Sequence, residues 1–320
     1  MGKLFGYLLL LVMGLSSCAL VDKAAIKTTA NIMQKGSDQL LYEPDWYFFK
    51  ESAPGNLKLI EGMWFADQKN KQLLGLLVKG YSAYTFAVLE TQAIRDQILG
   101  NSETLIRQRV LMNYEKAIEY GFKYLELMGI SREDFLNKSF PQTLEKTFLA
   151  KASDEDYVTL FYFAQAMGSS LNNQRQNMDK LAYLNHVKLL MQWVCSVKPD
   201  IEYGNCKLFD AILEATTPRV LGGNMAKAQK KFKEAIKLRP ENLLIRLSYI
   251  QYYLIPLLEE EEFSVEMERL RKDLGYWYSS VQGIKNREKL KYDKTKIYNL
   301  FNSVARQKYR KLLKLRKEIF

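Results

Sequence analysis

The sequence predicts an all-α protein built from paired helices. Three observations carry that expectation. Beyond residue 40, apolar residues recur every three to four positions through nearly all of the chain. No alternating apolar and polar stretch is long enough to build a sheet. One pattern of core positions also returns with a proline behind it. Composition agrees. Leu, Ala, Lys and Glu are common, seven prolines and seventeen glycines are few for 320 residues, and 48% apolar content belongs to a folded chain.

The first residues read as a leader. Met1-Gly-Lys3 supplies one positive charge, residues 4–14 carry none, and Leu15-Ser16-Ser17-Cys18 follows. A charged start, a short apolar run and small residues are the parts of a secretory signal. The run is shorter than the ~20 apolar residues needed to cross a bilayer. Leu-Ser-Ser-Cys resembles the bacterial lipobox, whose cysteine is acylated and becomes the first residue of the mature chain. Residues 1–17 are thus expected to be the lipoprotein signal peptide and Cys18 the lipidation site. An ordinary signal with a chance cysteine is the plainer alternative. Residues 18–40, polar and alanine-bearing, are expected to form the lipid-anchored tether, and 41–320 a single helical-repeat domain. Ala19 follows the cysteine, where an aspartate often signals inner-membrane retention, so the outer membrane is preferred over the inner.

Helical periodicity marks 57–67, 73–92, 103–128, 154–171, 178–197, 203–217, 225–238, 243–258 and 295–316. Asn101 and Ser102, Ser153-Asp154 and Asn224 precede helices as capping residues should, and Pro199 and Pro240 close two others. Ala228, Phe232, Ala235 and Pro240 have the offsets of the second helix of a tetratricopeptide repeat. Val187, Met191, Val194 and Pro199 repeat them; Val110, Tyr114 and Ala117 do so without the proline. A weaker fourth copy falls at Asn56, Ile60, Met63 and Gln68. Gly80 or Ala83, and Ala164 or Ala166, are candidate small residues on the partner helices. A generic bundle would also yield such core spacing. The matched prolines favour a tetratricopeptide-like solenoid, with its concave face as the binding surface and 287–317 as the C-terminal capping helix.

Basic charge is local. Residues 285–320 hold thirteen Lys or Arg against Glu288, Asp293 and Glu318, whereas the whole chain carries +11. In an exported protein, the basic 285–317 stripe suits anionic headgroups or an acidic partner better than nucleic acid. A solvated face of a terminal helix is the simpler reading. Two cysteines remain after Cys18. Export permits a Cys195–Cys206 bridge, yet Cys195 also lies on an apolar helix face suited to a buried thiol, and spacing alone leaves the pairing open.

Little in the chain suggests catalysis. His186 is the one histidine, and no Cys-x-x-Cys, His-Glu-x-x-His or calcium loop occurs. The run Glu259–Glu262 reads as a solvated helix junction, because its like charges repel. Neither a metal nor another cofactor is expected, and no residue is nominated as catalytic.

At several points the chain resembles the T component of tripartite ATP-independent periplasmic (TRAP) transporters, a family of tetratricopeptide-like lipoproteins. The likeness rests on Tyr-Glu-Lys-Ala-Ile-Glu-Tyr-Gly from Tyr114 to Gly121 and Leu-Phe-Tyr-Phe-Ala-Gln-Ala-Met-Gly-Ser from Leu160 to Ser169. It continues through Lys188 to Met191, Tyr203-Gly204, Leu208-Phe209 and the Pro-Arg-Val-Leu-Gly-Gly-Asn turn from Pro218 to Asn224. Ala228 to Ala235 and the closing stretch from Asn302 to Phe320 complete it. Gln68 and Lys71 replace expected prolines, Ser169-Ser170 stands in place of Ser-Trp, and 275–300 is unusually basic and tyrosine-rich.

The resemblance implies an accessory protein rather than an enzyme. Its expected partner is a periplasmic solute-binding protein that delivers small organic anions or apolar ligands to a permease. The membrane would be reached through the N-terminal lipid, no nucleic acid is expected, and a homo-oligomer is compatible with the sequence. Tyr81, Tyr84, Phe161, Tyr162, Phe163 and Phe209 lie on first helices of the pairs and are nominated for a ligand or partner groove. An envelope-assembly adaptor of the same fold is the rival. An enclosed apolar cavity favours transport; an open polar groove favours the adaptor.

Overall fold

Local capping chemistry sets several of the helix starts. The computed structural model describes residues 21–149, 151–283 and 295–320. Residues 1–17 (expected to form a leader), Cys18, Ala19 and part of the basic stripe lie outside the described residues. Helix α1 occupies 21–36 and buries Ala30 against Leu73 and Leu76. A 3₁₀ turn, Ser37–Tyr42, leads to α2 (Trp46–Ala66). Asp45 caps α2 by accepting from the backbone N–H groups of Tyr47 and Phe48.

Asn70 caps α3 (Lys71–Tyr84), which runs through a π-helical turn, Thr85–Leu89, into α4 (Glu90–Ile98). There follow α5 (Leu105–Leu127), α6 (Arg132–Leu136) and α7 (Phe140–Phe148). Ser153 and Asp156 form a capping box that opens α8 (Asp154–Asn173). Next come α9 (Met178–Leu181), α10 (Leu184–Val197), a 3₁₀ turn at Ile201–Gly204 and α11 (Asn205–Thr216). Asn224 caps α12 (Met225–Leu238). Helix α13 (Leu243–Tyr249) passes into a second π-helical turn, Ile250–Leu254. The last helices are α14 (Glu260–Val281) and α15 (Asn299–Ile319).

The protein is all-α, with no strand among the described residues. Helices α6 and α7 had no counterpart among the expected segments. Helix α6 is too short to show a period; in α7 Phe140, Leu144 and Phe148 recur every fourth residue, and with Phe135 they are fully buried. Helix α14 was also missed. Glu260, Glu261 and Glu262 form its first turn, where carboxylates meet the positive end of the helix dipole.

Three copies of the repeated core pattern are buried at every helical position: Val110, Tyr114 and Ala117; Val187, Met191 and Val194; Ala228, Phe232 and Ala235. The fourth is corrected. Asn56 is exposed, and Ile60 and Met63 are only half-buried. Helix α2 begins eleven residues before the expected start at 57, and Trp46, Phe49 and Leu57 set a different buried face.

Close contacts between helices occur where side chains are missing. A Cβ on Gly75 would lie 2.7 Å from Thr159 Oγ1, so α3 meets α8 there; Gly80 similarly admits Leu57 of α2. Gly121 of α5 admits Phe163 of α8, where a Cβ would sit 2.1 Å from the ring. Helix α15 packs against α4, α13 and α14 and reaches the 3₁₀ turn at residues 37–42. The Arg95 guanidinium pairs with Glu318 at 2.6 Å, and Asn299 Nδ2 donates to Tyr42 O at 3.1 Å. The last helix is thereby tied to α4 and to the 37–42 turn. Cys195 and Cys206 are bridged, with Cα atoms 5.8 Å apart, which decides the pairing that spacing left open.

Candidate functional site

Six segments converge on one apolar cavity of about 80 Å³. They are the 37–42 turn, the end of α3 with its π-turn, α8, α11, α13 with its π-turn, and α15. Phe161 and Tyr162 enter from α8, Phe209 from α11, and Phe86 from the first π-turn. Val304 closes the wall from α15. Gly168 lies at the back: a Cβ there would come 2.8 Å from Phe209 Cζ, so glycine is what lets that ring in.

Both π-turns border the cavity. A π-turn shifts the helical hydrogen-bond register and re-aims side chains, and such turns are common at functional sites. In the first, Ala87 O accepts from Trp46 Nε1 and from Thr91 Oγ1, both at 2.8 Å. Thr85 Oγ1 donates to Tyr81 O at 2.6 Å. Side chains thus supplement backbone bonding where the register changes.

The nominated aromatic residues divide. Phe161, Tyr162 and Phe209 line the cavity; Tyr81, Tyr84 and Phe163 do not. Tyr81 donates to Glu61 Oε1 at 2.6 Å, in a cluster with Lys58, Lys116 and Tyr120. Burial pushes the Glu61 carboxyl up, but hydrogen bonds from Lys58, Tyr81, Lys116 and Tyr120 outweigh it and hold the pKa at about 2. Tyr84 is buried in the core, and burial raises its pKa. Phe163 packs edge-on against Phe122, with centroids 5.1 Å apart. Helix α8 is aromatic on several faces and buried on most of them, so its sequence does not reveal which ring meets open space.

Beyond the cavity lies a groove of about 710 Å³, and the two share Asn172 and Tyr252 as wall residues. Arg107 and Arg175 line this groove. Arg107 hydrogen-bonds the Asn173 side chain and donates through Nη2 to Asn173 O at 3.2 Å. Arg175 Nε donates to Asn172 Oδ1 at 2.9 Å. Burial pushes the pKa of both guanidinium groups down. Burial and then the Glu90 charge push the Tyr252 phenol up, against the pull of Arg175 and Arg107.

Asn172, Tyr252, Arg107 and Arg175 were not foreseen. A faint signal exists in the polar Ser169-Ser170-Leu171-Asn172-Asn173 run, which breaks an apolar helix. Behind the groove, Glu90 Oε1 accepts from Asn173 Nδ2 at 2.9 Å. The fully buried Lys308 lies over the Phe86 ring, 4.3 Å from its centroid.

His186 has a structural setting. Its Nε2 lies 3.2 Å from Leu136 O, and its ring packs beside Phe135 with centroids 5.6 Å apart. Among the described residues, no group of three or more His, Cys, Asp or Glu could hold a metal ion. None of their helices is long and apolar enough to cross a membrane.

No curated protein matches the chain. The family model of the TRAP transporter T-component matches residues 42–273, well over half of the sequence and all of α2 to α13. By that match, which spans four of the six cavity segments completely, this chain belongs to the TRAP transporter T-component family.

Proposed function

We propose that the protein is a lipid-anchored periplasmic accessory component that binds a solute-binding protein and holds its ligand. Membership of the T-component family makes it an accessory of TRAP transport. The finer reading rests chiefly on one observation: the apolar cavity assembled from six segments. The adaptor reading draws instead on the open groove of about 710 Å³ that carries Arg107 and Arg175. Acylation of Cys18 would supply the anchor, and more than one acyl chain would make it stable. Confinement to one compartment would then raise the rate of encounter with the solute-binding protein. The outer membrane is the proposed site of anchoring, from Ala19 after the cysteine.

The test is a pull-down from solubilised membranes of protein tagged at its C-terminus, read by mass spectrometry. Recovery of a periplasmic solute-binding protein with its permease is the expected result. Recovery of envelope-assembly proteins alone would replace this reading with the adaptor.

A further inference from the structure

The basic residues of α15 line neither the cavity nor the groove. Seven of its 21 residues are Lys or Arg, against one acid, Glu318. Helical spacing sorts them. Lys308 is buried on the core face with Val304, Leu312 and Leu315. Arg306, Arg310, Lys314 and Lys317 fall on the opposite side, within an arc of about 100° and along a row of roughly 17 Å. Arg306 is half-buried and the other three are exposed. Leu313 stands among them, an apolar side chain that is 53% exposed. We propose that this face of α15 is a docking surface for the anionic headgroups of a lipid bilayer.

The fold does not neutralise this row. None of the four cations has a carboxylate within 4.0 Å among the described residues, and the nearby acids are engaged elsewhere. Glu318 is held by Arg95 at 2.6 Å, Glu260 by Arg316 at 3.3 Å and Glu268 by Arg271 at 2.7 Å. Lys231 of α12 shows the contrast: it sits between Asp210 and Glu214, each 3.0 Å away. On α15 the cations bear on one another instead. Burial and then the Arg310 charge push the Arg306 guanidinium down; burial and then the Lys314 charge push the adjacent Lys311 ammonium down. A row of like charges left open to solvent is relieved by an anionic surface.

The make-up of the face fits a bilayer. Lys and Arg lay their methylene stems on apolar surface while their heads stay at the level of the phosphates, and Leu313 between them can enter the headgroup layer. The path of the chain brings a bilayer within reach. Under the lipid-anchored reading, on which this rests for proximity alone, Cys18 stands three residues before α1. Helix α1 spans about 24 Å, and the 3₁₀ turn that follows it packs on α15, where Asn299 Nδ2 donates to Tyr42 O at 3.1 Å. A terminal helix face that is merely solvated makes the opposite prediction: indifference to the charge of a bilayer.

The experiment titrates vesicles into the full chain carrying Cys18→Ser, so that no acyl group contributes; residues 1–17 are common to every variant and cancel in the comparison. Vesicles of phosphatidylcholine alone are set against vesicles with about 30% phosphatidylglycerol. The anionic vesicles are expected to bind at least about tenfold more tightly at low salt, and about 0.5 M salt should abolish the difference. Arg310→Gln/Lys314→Gln/Lys317→Gln should remove most of that preference with an unaltered melting temperature, since all three sites are exposed. Lys227→Gln/Lys230→Gln/Lys237→Gln, which removes three exposed lysines of α12, should keep it. Equal binding of the two vesicles overturns the proposal, and so does equal loss in the two triple variants, which would assign the effect to net charge. Indifference to vesicles, with an acidic protein lost from the pull-down of the α15 variant, would give the face to that protein instead. Because no acyl group enters the measurement, a failure of the lipid-anchored reading leaves its outcome unchanged.

Discussion

Tyr162 donates its hydroxyl hydrogen to Glu202 Oε2 at 2.7 Å, joining the cavity wall of α8 to the turn that opens α11. Glu202 and Tyr203 have positive φ angles of 49° and 57°, an uncommon backbone for residues with side chains. Lys79 Nζ approaches the second Glu202 oxygen at 3.6 Å. Burial and then the Glu202 charge push the Tyr162 phenol well above its ordinary pKa, so it remains a donor. This bond helps hold the Ile201–Gly204 turn in place and, through it, Phe209 against Gly168.

Tyr162→Phe leaves a buried carboxylate oxygen without its donor. A stability loss of about 1–3 kcal/mol is expected. Urea denaturation of the variant beside the parent measures it, and a loss under about 0.5 kcal/mol would assign the turn to other contacts.

Glu61 should give the acid limb of stability a visible component. Its folded pKa, about 2, lies below the ordinary 4.5 of the unfolded chain. The stabilising contribution is therefore complete above about pH 4.5 and fades as pH falls towards 2. The difference in unfolding free energy between the parent and Glu61→Gln should be constant near neutrality and shrink through that window. A constant difference down to pH 2 would contradict this origin.

Reduction of Cys195–Cys206 should destabilise the chain. The bridge spans a sequence separation of 11 and ties the end of α10 to the start of α11. Loop closure of that length corresponds to about 3 kcal/mol. Thermal melts with and without a thiol reductant, repeated on Cys195→Ser/Cys206→Ser, provide the measurement; reductant should leave the double variant unchanged.

Gly121→Ala tests the closest helix contact. The new methyl would lie 2.1 Å from Phe163 Cδ2, inside a core that also holds Phe122 and Phe135. Overpacking of this kind costs about 1–3 kcal/mol. Gly55→Ala is the control, because nothing lies within 4 Å of its Cβ position and it sits inside α2. That change should be neutral or mildly stabilising. Equal effects at the two sites would show that α5 and α8 can readily separate.

The sequence by itself determined the helical class, several helix starts and the buried faces of α5, α10 and α12. Those features follow from local physics: Ser153 and Asn224 cap whatever helix follows them, although Asn101 and Ser102 do not cap α5, and Val187, Met191 and Val194 share a face by periodicity alone. The family likeness was legible too, in the stretches around Gly121, Gly168 and Gly222-Gly223. Only the tertiary structure decided which aromatics meet. Phe161 faces the cavity while Phe163 fills the space left by Gly121, a choice made by the rotation of α8 against α3 and α5. It also brought Arg107, Arg175 and Tyr252 together, although they lie on three separate segments. Periodicity specifies the face of one helix, but contact between distant segments depends on how several helices cross and turn together, which no single segment encodes.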